Sequence, residues 1–210
     1  MMKNNLLPIV KEGLSYIIYA IVAYTFFAIF DLEVLEFIAF LATISLIFVF
    51  RNPEREVSLF EENSVVSPVD GVVLAISEIE GEYAYRVEID SSCLNVSILR
   101  VPMISSLKSI KLKKGARLSK FSSLAKKINE NAELIFEDKN SHKLKVSHML
   151  KQSFLGMEIN LKESQNLLQG SRYGVMVSGV TTLYLPQNFR LSINLGSEVK
   201  ASQSLIGYFS

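Results

Sequence analysis

From Gly13 to Phe30 the chain runs eighteen residues without a charge. At about 1.5 Å per residue a helix of that length spans ~27 Å, close to the hydrocarbon thickness of a bilayer. Asp31, Glu33 and Glu36 interrupt the run, and Phe37 to Phe50 is then uncharged for fourteen residues. A second helix starting near Leu32 reaches spanning length with Glu33 and Glu36 at the interface. The pattern predicts a helical hairpin over residues 1–50 that anchors the chain in the cell membrane. A shallower hairpin confined to one leaflet satisfies the same hydropathy. A signal peptide does not, because its apolar core is shorter and a small-residue cleavage site follows it. Lys3 and Lys11 precede the hairpin, Arg51 and Arg55 follow it, and its turn is acidic. The positive-inside rule therefore puts both ends, and the soluble remainder over residues 51–210, on the cytoplasmic face.

From Val57 onward the pattern changes to short apolar runs broken by turns. Ser64–Ile76, Tyr83–Ile89, Leu94–Val101, Glu133–Glu137, Val175–Leu185 and Leu191–Leu195 carry strand composition. Ser122 to Asn131, polar and lysine-rich, reads as a helix. Asp70-Gly71 and Glu80-Gly81 read as turns. The expected fold is α+β, a mostly β soluble domain without βαβ alternation. A net charge of +1 gives no case for a nucleic-acid partner. One cysteine, Cys93, excludes an internal disulfide and a zinc cluster, so no metal is expected, and it reads as a small buried apolar residue. Arg51, Arg55, Lys111, Lys113, Lys114 and Arg117 form a basic set suited to anionic lipid headgroups.

Several phrases follow one another in a definite order. Phe50-Arg51-Asn52-Pro53-Glu54-Arg55 closes the apolar segment, and Ser67-Pro68-Val69-Asp70-Gly71 opens the β-rich one. Leu94 to Pro102, Lys127 to Asn131, and Arg172-Tyr173-Gly174 followed by Tyr184-Leu185-Pro186 come after. In this order the chain resembles the phosphatidylserine decarboxylases of the short bacterial and archaeal type. Val66–Val73 and Gly196–Leu205 also resemble paired halves of the β-hammerhead of biotinyl and lipoyl carrier domains. More than a hundred residues separate them with no Met-Lys pair between them, which excludes a carrier role.

The resemblance implies a membrane phospholipid as substrate and a role in making phosphatidylethanolamine. It implies a proenzyme whose serine attacks its own preceding carbonyl at a Gly-Ser bond and becomes a pyruvoyl group, with an Asp-His pair assisting. Asp70 matches the family's aspartate, whereas Ser97 stands where the family has histidine. At the serine position, counting from Arg172 gives Val180, and counting back from Tyr184 gives Gly179. Ser178 is the nearest hydroxyl. Gly170-Ser171 and Gly196-Ser197 copy the cleavage letters elsewhere and read as turns. The candidate site is therefore Asp70 with Ser178. The replaced serine and histidine lead to the expectation of an intact chain without a pyruvoyl. It would be a catalytically silent relative that binds lipid, associates with itself or pairs with an active homologue; the alternatives are a decarboxylase that forms its pyruvoyl at a shifted serine such as Ser178, and a non-enzymatic membrane-tethered β-domain.

Overall fold

The computed structural model describes residues 8–55 and 60–210; Lys3 and Val57 lie outside the described residues. The chain divides into two compact units, Met1–Glu54 and Arg55–Ser210.

The first unit is a hairpin of α1 (Lys11–Ile29) and α2 (Glu33–Val49). Asp31 turns the chain between them at φ 52°, a conformation that a short aspartate side chain tolerates. Gly13 lets the helices close at the open end, since a Cβ there would sit 2.1 Å from the ring of Phe50. Val10 N–H donates to Phe50 O at 2.9 Å and Asn52 N–H to Pro8 O at 2.7 Å, tying the two ends together. Thr25, Thr43 and Ser45 each return a hydroxyl to the carbonyl four residues earlier, so these polar groups need no water. Around the hairpin Ile18, Tyr19, Val22, Phe26, Val34, Phe37 and Ile38 are exposed. So continuous an apolar surface calls for a nonpolar surrounding. α1 is long and apolar enough to cross a membrane. α2 has 17 residues.

The second unit is mostly β. Its strands are β1 (Ser64–Val66), β2 (Gly71–Glu78), β3 (Tyr85–Ser91), β4 (Ile98–Arg100), β5 (Ser105–Lys113), β6 (Asn131–Glu137) and β7 (Lys143–Leu150). They continue with β8 (Glu158–Ile159), β9 (Asn166–Leu167), β10 (Arg172–Val175), β11 (Gly179–Leu185), β12 (Phe189–Leu191), β13 (Glu198–Val199) and β14 (Leu205–Phe209). A short helix, α3 (Ala125–Ile128), lies between β5 and β6. Eight strands form one antiparallel sheet in the order β13-β2-β3-β11-β7-β6-β5-β9. Two three-stranded sheets, β1-β14-β12 and β4-β10-β8, accompany it. β6 and β7 alternate strictly between buried and part-exposed residues. One face of the large sheet thus buries Val87, Ile89, Leu134, Phe136, Leu144, Val146, Leu183 and Leu185, and the other stays open.

The two hammerhead-like phrases meet in space. Glu198 and Val199 pair with Val72 and Gly71. Ser67 exchanges backbone bonds with Ser202 and Ser204 at 3.0 and 2.9 Å. Gly71 is required at the close approach of β2 to β3, where a Cβ would lie 2.3 Å from Asp90 O.

Several expectations are corrected. Of Leu191–Leu195 only Leu191 lies in a strand, at the end of β12, and Ser64–Ile76 spans two strands, β1 and β2. The helix shrinks to Ala125–Ile128, because Ser122 N–H closes a turn on Ser119 O and Asn129 adopts extended backbone while its side chain bonds elsewhere. The run Val175–Leu185 is two strands, β10 and β11, broken at Met176–Ser178. Cys93 is exposed rather than buried. It rides on a turn where Asn95 Oδ1 accepts from Ser92 N–H at 2.8 Å.

Candidate active site

The residues singled out from sequence gather around the break between β10 and β11. Ser97, buried just before β4, accepts the Met176 N–H on its carbonyl at 2.7 Å. Ser178 lies in the break, immediately ahead of β11. Its hydroxyl is directed at Ser91 O at a long 3.5 Å, and its own carbonyl accepts the Lys151 N–H at 3.2 Å. Ser91 in turn donates its hydroxyl to Asp70 O at 2.6 Å. One chain of serine hydroxyls donating to backbone carbonyls, Ser178 to Ser91 and Ser91 to Asp70, therefore links the two candidate residues.

The carboxylate of Asp70 is engaged otherwise. Both oxygens accept from the Arg55 guanidinium at 2.5 Å, and Oδ1 also accepts the Ala201 N–H at 2.8 Å. The pair is enclosed, with the two side chains 9% and 10% exposed. Bidentate, charge-assisted bonding of this kind is strong and fixes the orientation of the carboxylate. Asp70 at the strand end is thus more than a turn residue.

Of the two positions where counting places the family serine, Gly179 has no room for a side chain and Val180 carries one without a hydroxyl. A Cβ on Gly179 would lie 2.5 Å from Met176 Sδ and 2.7 Å from Met149 O. Val180 opposes Asp90 on one side and Met149 on the other. Its side chain faces the open side of the large sheet and lines a groove of about 600 Å³. Leu74, Met149 and Thr182 also line that groove, as do Arg86, Glu88 and the Lys120-Phe121 pair from the loop before α3. Asp90 carries both Lys120 (2.5 Å) and Lys151 as ion partners. The remaining Gly-Ser pairs are turns, as expected. Ser171 Oγ donates to Leu168 O at 2.7 Å after Gly170 at φ 78°, and Gly196 has φ 79°.

The next residue along β11, Thr181, points into the core and meets a group that sequence comparison passed over. His148 is fully buried, its Nδ1 2.8 Å from Thr181 Oγ1 and its Nε2 2.6 Å from Tyr173 OH. Burial lowers the imidazole pKa to about 3 and pushes the Tyr173 hydroxyl upward, so both stay neutral across the physiological range. The signal was present in the alternation of 143–150, where Leu144, Val146, His148 and Leu150 share the core-facing register.

A pyruvoyl group requires a serine at the cleavage point. Gly179 and Val180 cannot supply one, and Ser178 has a backbone carbonyl rather than a base in front of its hydroxyl. The residues present do not fit the group at the family position.

Comparison with known proteins agrees with the order of the motifs. The phosphatidylserine decarboxylase family model matches residues 44–207. The phosphatidylserine decarboxylase proenzyme of Geobacter metallireducens is 29% identical, over 98% of this chain and 99% of that protein. The proenzyme of Desulfotalea psychrophila is 28% identical over 95% and 96% of the two chains. That of Wolbachia pipientis is 27% identical over 78% and 75%. By the family-model match over residues 44–207 and near-full-length similarity to its members, this chain belongs to the phosphatidylserine decarboxylase family.

Proposed function

We propose that this chain is a membrane-tethered member of its family that serves phospholipid metabolism without cleaving itself. Its domain, residues 51–210, works on the cytoplasmic face behind the anchor formed by residues 1–50. It handles the lipid that its catalytic relatives transform, alone or paired with an active homologue. The observation that carries the reading is the closure at Gly179: a side chain there collides with Met176 and Met149, and the following residue is valine. Self-cleavage needs a hydroxyl aligned on its own preceding carbonyl next to a base. Asp70, the one family catalytic position retained, is committed to Arg55 and Ala201.

Intact-mass analysis of the full chain extracted in detergent tests this directly. A single species at the mass of the uncleaved chain is expected, together with no release of carbon dioxide from phosphatidylserine. A C-terminal fragment blocked by a pyruvoyl would overturn the reading. Its mass would identify the serine, with Ser178 the first candidate and Ser171 the second.

A further inference from the structure

Between Lys111 and Ile128 the chain carries seven cations and no acidic residue. The fold spends some of them internally. Lys114 and Arg117 turn onto the buried Glu130, and Lys120 pairs with Asp90. Lys111, Lys113, Lys126 and Lys127 have no ion-pair partner among the described residues, and Lys113 Nζ donates to Lys127 O at 2.9 Å. The basic set expected from sequence is thus redistributed: of Lys111, Lys113, Lys114 and Arg117, two brace the loop, and the free charge lies at Lys111 and around α3.

The same segment exposes its apolar side chains. Phe121 is 88% exposed and Leu124 52%, both at the tip of the loop that overhangs the groove beside Val180. A solvated loop has no use for an outward phenylalanine, yet the loop is firmly built. Asn129, fully buried, accepts the Leu118 N–H and donates to Leu118 O and Leu150 O at 2.8–2.9 Å. Gln152 N–H donates to Arg117 O at 2.9 Å.

We propose that this tip is a second membrane contact, separate from the hairpin, in which Phe121 and Leu124 enter an anionic lipid surface while Lys111, Lys126 and Lys127 meet its headgroups. The occupant is chosen by charge complementarity and by the pairing of an aromatic and an aliphatic tip with lysines of the same chain segment that have no ion-pair partner among the described residues. That combination buries apolar groups at the acyl boundary and leaves the ammonium groups at phosphate level. A nucleic acid would leave Leu124 unmatched. The inference rests on the membrane-tethered reading, since chain connectivity keeps the domain near the surface only if the hairpin is inserted.

The chain contains no tryptophan, so Phe121→Trp introduces a single fluorophore at the tip. Leu195→Trp, at a site 67% exposed and distant in sequence, is the reference. Each full-length variant is reconstituted into vesicles of phosphatidylcholine alone or with phosphatidylglycerol, with lipids brominated on the acyl chains as quenchers. Flotation with the vesicles separately reports insertion of the hairpin, so failure of the tether and failure of the tip are distinguishable. The expected result is a blue-shifted, quenched emission for Phe121→Trp in anionic vesicles and an unquenched one for Leu195→Trp. Quenching should be lost on adding Lys111→Glu, Lys126→Glu and Lys127→Glu together. Floating protein whose Phe121→Trp emission is quenched no more than the reference overturns the proposal. So does a blue shift without quenching that fades on dilution, because that marks contact between copies. Quenching that survives the three charge reversals overturns the role given to the lysines. Unchanged melting temperatures of all variants in detergent verify that the fold is retained.

Discussion

Arg55 grips both carboxylate oxygens of Asp70 at 2.5 Å, and the same guanidinium reaches Ala201 O at 3.0 Å. The residue that leaves the anchor and the aspartate of the Ser-Pro-Val-Asp-Gly phrase are therefore one structural unit. Removing either partner strands a buried charge, which costs ~3–5 kcal/mol. Arg55→Ala and Asp70→Ala are both expected to lower stability by about that amount. Asp70→Asn keeps the acceptor for Ala201 N–H and is expected to cost less. Denaturant titration in mild detergent measures all three, and a wild-type midpoint for Arg55→Ala would remove the pair from the stability of the domain.

The helical hairpin and the order of the motifs were legible because both live in local sequence: uncharged runs broken by acidic residues, and turn phrases ahead of β-rich segments. The meeting of the two hammerhead-like phrases was also legible, since each is a recognisable half. The partner of Asp70 was not, because nothing local tells which cation will reach a carboxylate fifteen residues away. β5 was missed because lysines and serines fill its open face, diluting the strand signal of Leu107, Ile110 and Leu112. Cys93 was misread because a composition rule about buried thiols ignored the Ser92–Asn95 turn that carries it outward.

Restoring hydroxyls at the family position tests the closure directly. Gly179→Ser is expected to lose ~1–3 kcal/mol through overpacking against Met176 and the Met149 carbonyl. Val180→Ser, whose side chain faces the groove, is expected to cost ~1 kcal/mol from lost methyl burial. Neither variant, alone or with Ser97→His, is expected to cleave itself while Asp70 stays on Arg55. Melting curves and denaturing gels give both readouts, and a second band would show that a hydroxyl alone restores processing.

His148 makes stability depend on acid. Its folded pKa of about 3 lies below the unfolded value of about 6.5, so the unfolded chain binds the extra proton first. The contribution of the neutral imidazole is whole above pH ~6.5 and is lost as pH falls toward 3, by up to several kcal/mol. His148→Gln retains a donor and an acceptor for Thr181 and Tyr173 without titrating. It is expected to be less stable than wild type at neutral pH and to show a flatter stability profile between pH 6.5 and 3. Parallel slopes for the two proteins would assign the acid sensitivity to other groups.

Asn129 closes the loop beneath the exposed tip with three hydrogen bonds. Asn129→Ala leaves an amide and two carbonyls unmatched and is expected to cost ~2–4 kcal/mol. Asn129→Asp keeps the acceptor but sets a buried carboxyl against the Leu118 and Leu150 carbonyls, so it is expected to be at least as destabilising as the alanine variant. Limited proteolysis is expected to cut the alanine variant first between Leu118 and Ile128. Cleavage elsewhere would show that the loop holds without this residue.

The carbonyl and amide of Ala201 that receive Arg55 and Asp70 lie 146 and 131 residues from them, and β1 finds its partner only in β14. During synthesis at about 5–20 residues per second, that leaves an interval of many seconds between making Asp70 and supplying Ala201. For all of that time Asp70 and Arg55 have only each other, the large sheet lacks β13, and β1 lacks its partner β14. The last ten residues are therefore the latch of the domain. A chain stalled or truncated before Ala201 would display an unfinished β domain behind a complete helical hairpin.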